Sequence, residues 1–154
     1  TLDECLQLIE QHPEVTLFIE IKEETIAYFG REQVPDTLLA LSLPHQKQCV
    51  FISFDFTILA QAAARGWPRT APILKKWQQI NLLPGSNSSI AMVFCNHRKI
   101  PPEVDIRKLD FLIAVYEIDQ RELALKLLDR GVSLVESFSI GELLNFKHNN
   151  KTLL

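Results

Sequence analysis

Long apolar runs, basic blocks, glycine-rich phosphate loops and paired cysteines are all missing from this sequence. No stretch approaches the ~18 consecutive apolar residues that a membrane helix needs, so nothing in it reads as a transmembrane segment. Against 19 Asp and Glu stand 16 Lys and Arg, a formal charge of −3. With no positive footprint for a phosphate backbone, dedicated nucleic-acid binding is not expected. The chain has 5 glycines, none in a G-x-G-x-x-G or Walker arrangement, which argues against a nucleotide-binding doubly wound fold. Its 3 cysteines, Cys5, Cys49 and Cys95, form neither a disulfide framework nor a zinc pattern. Cys49 and Cys95 lie in apolar runs and read as buried small hydrophobes. A reducing, cytoplasmic setting is the expectation.

What is present is the composition of a globular chain: 154 residues, 47% hydrophobic and 23% charged. That supports one domain with one sizeable core and excludes a disordered chain. Apolar strand-like runs alternate with helical patterns. Leu2, Leu6 and Ile9 space one apolar face of a helix from Thr1 to His12, stopped by Pro13. Strands are expected over Val15–Lys22, Gln48–Phe54, Ile90–Cys95, Asp110–Ile118 and Val132–Val135, with a short strand and turn over Pro72–Trp77. Asp36, Asp55 and Asp119 read as helix caps, Gly66 and Gly131 as helix stops, and Ser139 as the start of a last helix. Pro84 to Ser89 is a loop, and Asn145–Leu154 reads as a polar tail beyond a domain of residues 1–144.

Four or five strands, each followed by a helix or a long connection, point to a parallel sheet wound by right-handed crossovers. Part of a (β/α) barrel is the architecture expected, roughly its last five units, with chemistry at the carboxyl ends of the strands. A whole barrel of this type needs about 200 residues or more, so eight units do not fit.

The segment Leu17-Phe18-Ile19-Glu20-Ile21-Lys22 is the most informative. Side chains alternate along a strand, so Phe18, Glu20 and Lys22 share one face. A carboxylate and an ammonium thus sit side by side at the carboxyl end of a strand. Left without partners there they would be costly, so they meet each other, a metal or a substrate anion. An edge strand with one wet face and a plain Glu–Lys pair is the alternative, and both stay open. Ser53 and Tyr116 close two other strands and are placed to line a mouth. Among the histidines only His97, in Cys95-Asn96-His97-Arg98-Lys99, follows a strand, and it reads as a solvated loop residue.

Phe18-Ile19-Glu20-Ile21-Lys22, Ile52-Ser53-Phe54-Asp55, Val115-Tyr116-Glu117-Ile118-Asp119 and Gly131-Val132, in this order and spacing, resemble the glycerophosphodiester phosphodiesterase family. The opening Thr1-Leu2-Asp3-Glu4 with Leu6 resembles the helix that precedes the family's Ile-Glu-Ile-Lys strand. The resemblance implies a TIM barrel that hydrolyses glycerophosphodiesters to glycerol 3-phosphate and an alcohol with a divalent metal, Ca²⁺ or Mg²⁺. It implies that Glu20 is a metal ligand and that Lys22 holds the phosphate as a catalytic group. Ser53 and Tyr116 would contact substrate.

Departures from the pattern are informative. The family's His-Arg-Gly, Glu-x-Asp and His-Asp segments, which carry its acid–base histidines and other metal carboxylates, have no counterpart here. The expectation is therefore a carboxyl-terminal portion of such a barrel, with those motifs upstream of Thr1 and this chain inactive alone. Ile52 replaces the first Ser of Ser-Ser-Phe, Glu117-Ile118-Asp119 replaces Thr-Val-Asn, and Glu136-Ser137 replaces the closing Thr-Asp. A carboxylate at Glu117 repels a phosphodiester unless it faces away. A non-catalytic, degenerate barrel serving as a binding module is the rival reading. Self-association through open barrel edges is expected on either.

Overall fold

The computed structural model describes residues 1–85 and 88–144, so the expected polar tail and the centre of the 84–89 loop lie outside the described residues. Six parallel strands lie in sequence order, each hydrogen-bonded to the next: β1 (Leu17–Glu20), β2 (Cys49–Ser53), β3 (Thr70–Leu74), β4 (Val93–Asn96), β5 (Ile113–Tyr116) and β6 (Leu134–Val135). That is one strand more than the five units expected. The run over Pro72–Trp77 is a strand from Thr70 to Leu74, followed after two residues by a 3₁₀ turn over Trp77–Leu82.

Among the described residues six α-helices accompany the strands: α1 (Leu2–Glu10), α2 (Glu23–Phe29), α3 (Gln33–Ser42), α4 (Phe56–Ala64), α5 (Arg121–Asp129) and α6 (Ile140–Leu144). α1 starts on a capping box: the Thr1 hydroxyl accepts the Glu4 amide at 3.3 Å, and the Glu4 carboxylate accepts from the Thr1 hydroxyl and ammonium. Leu6 and Ile9 then bury one face. α4 is capped as expected, Asp55 accepting the amides of Thr57 at 2.9 Å and Ile58 at 3.1 Å. It ends at Arg65, with Gly66 in the left-handed region at φ 93°.

Two expected caps do not form. Asp36 lies inside α3, which begins at Gln33, and its carboxylate binds Arg65 Nε at 2.7 Å instead. Asp119 precedes Gln120, the residue that flanks α5, and accepts the Ser137 hydroxyl at 3.1 Å. In both places a tertiary donor takes the carboxylate that a local amide would have used.

Alternation along the strands separates two surfaces. Cys49 and Phe51 pack with α1, α3 and α4, while Leu74, Val93, Cys95, Ile113 and Val115 pack with α5 and the 3₁₀ turns. The other face carries Val50, Ile52, Ala71, Ile73, Phe94 and Ala114, joined by Phe18, Phe54, Met92, Tyr116 and Leu134. On that face the Phe18 and Phe94 rings meet edge to face, 5.3 Å between centroids. They belong to β1 and β4, which a flat sheet would hold roughly 14 Å apart at three strand spacings. The sheet is therefore curled, and this face is the inside of a partial (β/α) barrel. Cys49 and Cys95 are buried thiols, as expected. Among the described residues no helix is long and apolar enough to cross a membrane.

Candidate functional site at the barrel mouth

Glu20 is the last residue of β1, two positions after the inward Phe18, so its side chain leaves the barrel interior at the carboxyl end. Lys22 keeps an extended backbone at φ −81° and ψ 152° before α2 begins, which carries the alternation one step further. Their charges meet at 2.9 Å, with the carboxylate 33% and the ammonium 62% exposed. The hydrogen bond that it donates to Glu20, and then the Glu20 charge, raises the Lys22 ammonium above the ordinary lysine value. Lys22 is thus a firmly held cation open to solvent.

The two face a cleft of about 240 Å³ that Glu23, Glu24, Phe54 and Lys75 complete. Glu23 and Glu24 form the first turn of α2, a helix sequence reasoning missed. Lys75 follows β3 and continues the inward alternation of Ile73. Its ammonium binds Glu23 Oε1 at 2.5 Å and stands 5.8 Å from the Phe54 ring centroid. Sequence reasoning missed Lys75 too, although the same alternation rule that singled out Lys22 finds it once β3 is bounded at Leu74.

Ser53 does not line this mouth. It belongs to the helix-facing side of β2, between the inward Ile52 and Phe54, and is fully buried. Its hydroxyl donates to the Ile21 carbonyl at 2.7 Å and accepts the Asp55 amide at 3.0 Å. Both bonds go to backbone on the helix-facing side, away from the cleft, and the residue ties β2 to the end of β1. Tyr116 closes β5, packed half-buried against the inner cluster. Burial pushes its phenol up, and the neighbouring Cys95, Glu117 and Glu136 add to this.

After Tyr116 the backbone breaks its alternation. Glu117 has φ 62°, the one positive φ outside glycine among the described residues, and Ile118 returns fully buried to the helix-facing core. Glu117 is exposed. The Glu136 carboxyl is pushed above the ordinary range, first by desolvation and then by the charges of Glu20 and Glu117. β1 and β6 lie at opposite ends of the sheet, so the influence of Glu20 on Glu136 is a second sign of curling.

His12, His45 and His97, the histidines among the described residues, stay apart from this cleft. His12 pairs with Glu14 and His45 with Glu10. His97 opens a 3₁₀ turn capped by the Asn96 carboxamide, and burial followed by Arg98 lowers its pKa. Burial raises the nearby Cys95 thiol to about 11, which leaves it protonated and unreactive at neutral pH. Among the described residues no group of three His, Cys, Asp or Glu side chains is placed to hold a metal ion. Glu20 brings one carboxylate, already shared with Lys22, to a class of cation that takes about six oxygens. These residues by themselves do not fit a resident Ca²⁺ or Mg²⁺.

No protein-family model matches the chain, and no curated protein does. Solved structures do match. A phosphodiesterase from Oleispira antarctica, in complex with the product sn-glycerol-3-phosphate, aligns with a TM-score of 0.71 at 20% identity, over 94% of this chain and 60% of that one. A structure described as a glycerophosphodiester phosphodiesterase from Galdieria sulphuraria gives 0.72 at 20% identity, over 96% of this chain and 63% of that one. One from Silicibacter pomeroyi gives 0.73 at 15% identity, over 94% and 55%. At these identities the likeness shows the fold, that of a TIM barrel. The chain spans between 55% and 63% of the length of these neighbours.

Proposed function

We propose that this chain belongs to a hydrolase that splits glycerophosphodiesters into glycerol 3-phosphate and an alcohol, and that it carries the phosphate-holding edge of the site. The observation that bears the reading is the Glu20–Lys22 pair, set on the inner face at the carboxyl end of β1 and open to a cleft. Strand ends of this kind are where barrel enzymes place their chemistry. The shared fold with glycerophosphodiester phosphodiesterases supports the substrate class, and so does the glycerol-phosphate product held by one of those neighbours.

In this reading Lys22 offers a fixed positive charge to phosphoryl oxygens, where negative charge grows as the bond to the alcohol breaks. Tyr116 stands at the inner rim as an aromatic contact. Glu20 would offer one carboxylate to Ca²⁺ or Mg²⁺, whose further ligands would have to come from outside the described residues. The family resemblance implies histidines as acid and base; none of His12, His45 and His97 lines the cleft, so such histidines would come from outside the described residues.

The test is hydrolysis of glycerophosphocholine followed as released glycerol 3-phosphate, with added Ca²⁺ or Mg²⁺ and with chelator. It compares this chain, a chain extended upstream of Thr1 in its native coding sequence, and that extended chain carrying Glu20→Ala. Metal-dependent release by the extended chain alone, lost with Glu20→Ala, is expected. No release from any form would overturn the reading.

Glu136 and Glu117 favour a second reading, a barrel that binds without catalysing. The negative charges of Glu20 and Glu117 that act on Glu136 oppose a phosphodiester at that side of the mouth. β1 and β6 each have one hydrogen-bonded neighbour among the described residues, which leaves edges for a partner or a second copy. Concentration-dependent sedimentation of a catalytically silent extended chain would support it.

A further inference from the structure

Lys75 stands out because nothing in the proposed chemistry uses it, yet it lines the same cleft as Lys22. We infer that Lys75 is a second anion-binding group of the mouth and that its ammonium and that of Lys22 together hold one phosphate group. The inference rests on the reading that Lys22 faces a phosphate.

Three contacts fix where this ammonium sits. Lys99 Nζ donates to the Lys75 carbonyl at 2.8 Å, which anchors the backbone just past β3. The Phe54 ring, just past β2 and packed against the inner cluster, lies beneath the ammonium at 5.8 Å. Glu23, in the first turn of α2, takes a hydrogen bond at 2.5 Å. An ammonium has three protons to give, and Glu23 engages one of them. The side chain is 55% exposed, so the others reach the cleft and its solvent. A cation with a held root, an aromatic floor and one restraining carboxylate is partly ordered before any ligand arrives, which lowers the entropy cost of binding. Lys22 is built in the same way, from an extended strand end and a single carboxylate, Glu20.

The competing explanation is that Lys75 and Glu23 merely tie β3 to α2 as a surface ion pair. The two explanations differ in sign. A tie loses its value when either partner is removed. An anion site loses affinity when Lys75 is removed but not when Glu23 is, because neutralising Glu23 frees the ammonium and removes a repelling charge.

The experiment is calorimetric titration of the 154-residue chain with sn-glycerol 3-phosphate and with inorganic phosphate. Lys22→Met, Lys75→Met, Lys75→Arg and Glu23→Gln are compared with the parent, with thermal unfolding run alongside to confirm folding. Expected are saturable binding by the parent, roughly fivefold weaker binding by each Lys→Met variant, retention by Lys75→Arg, and tighter binding by Glu23→Gln. Weaker binding in Lys22→Met with no change in Lys75→Met overturns this inference and leaves the phosphate reading standing. Weakening by both Lys75→Met and Glu23→Gln also overturns it, in favour of a surface tie. No binding by the parent, or no effect of Lys22→Met, overturns the phosphate reading and this inference with it.

Discussion

The hydroxyl of Ser53 donates to the carbonyl oxygen of Ile21 at 2.7 Å, bridging the end of β2 to the residue just past β1. The Ser53 hydroxyl oxygen in turn accepts the Asp55 amide at 3.0 Å, so one buried side chain serves two backbone groups. Ser53→Ala leaves both unpaired and costs about 1–3 kcal/mol of stability. Glycerol 3-phosphate affinity of the folded variant stays unchanged, because the hydroxyl points away from the cleft. Urea unfolding and a ligand titration check the two halves, and a selective loss of affinity would restore Ser53 as a substrate contact.

Asp55 does two jobs, capping α4 and binding Arg31 Nη2 at 2.6 Å. The Arg31 hydrogen bond is the main reason its carboxyl lies below the usual aspartate range, ahead of the two capping amides. Asp55→Ala should cost ~1–2 kcal/mol at neutral pH. A depressed folded pKa stabilises the protein above the unfolded value of about 3.9, and that stability is lost as the pH falls through the folded value. Urea midpoints taken from pH 7 downward should therefore fall further in the parent than in Asp55→Asn. Parallel acid limbs in the two proteins would sink this assignment.

Sequence alternation was enough to place Glu20 and Lys22 together, because an extended chain fixes which side chains share a face whatever the tertiary context. Applied strictly, the same rule sets Ser53 opposite Phe54; nearness to a strand end, not facing, made the serine look like a ligand contact. The helix α2 was harder to see. It begins directly after Lys22 with no capping side chain and runs only seven residues, too short for a periodic pattern to declare itself. Asp36 and Asp119 carried a cap signature, but Arg65 and Ser137, distant in sequence, compete for their carboxylates. The positive φ of Glu117 carried no signal, since glutamate has no preference for that region.

Gly131 and Gly66 both sit at positive φ, 107° and 93°, at the ends of α5 and α4. Their surroundings differ. A Cβ on Gly66 meets open space, whereas one on Gly131 falls 2.7 Å from Arg107 Cγ and 3.2 Å from the Arg107 amide nitrogen. Gly66→Ala should cost about 1 kcal/mol for the backbone conformation alone. Gly131→Ala adds a contact with main chain that cannot swing aside, and its loss of stability should be clearly the greater. Equal losses by urea denaturation would show that the 3₁₀ turn over Ile106–Lys108, which carries Arg107, yields freely.

Glu136 reports on closure of the mouth. Its carboxyl is raised first by desolvation and then by Glu20 and Glu117, so the fold disfavours its ionised form. A raised folded pKa gives stability that is fully present below the unfolded value, about 4.3, and is lost as the pH rises through the folded value. Glu136→Gln should therefore melt higher than the parent at pH 7 and no higher near pH 4. Carbon-detected NMR of the Glu136 carboxyl should show titration above the ordinary glutamate range, moving downward in Glu20→Gln as one like charge is removed. That second shift requires the ends of β1 and β6 to stand near each other across the curled sheet. If Glu136 titrates normally, and Glu20→Gln leaves it unmoved, the two strand ends are too far apart to form one mouth. The cleft beside Lys22 would then be an open surface, not one wall of a barrel site.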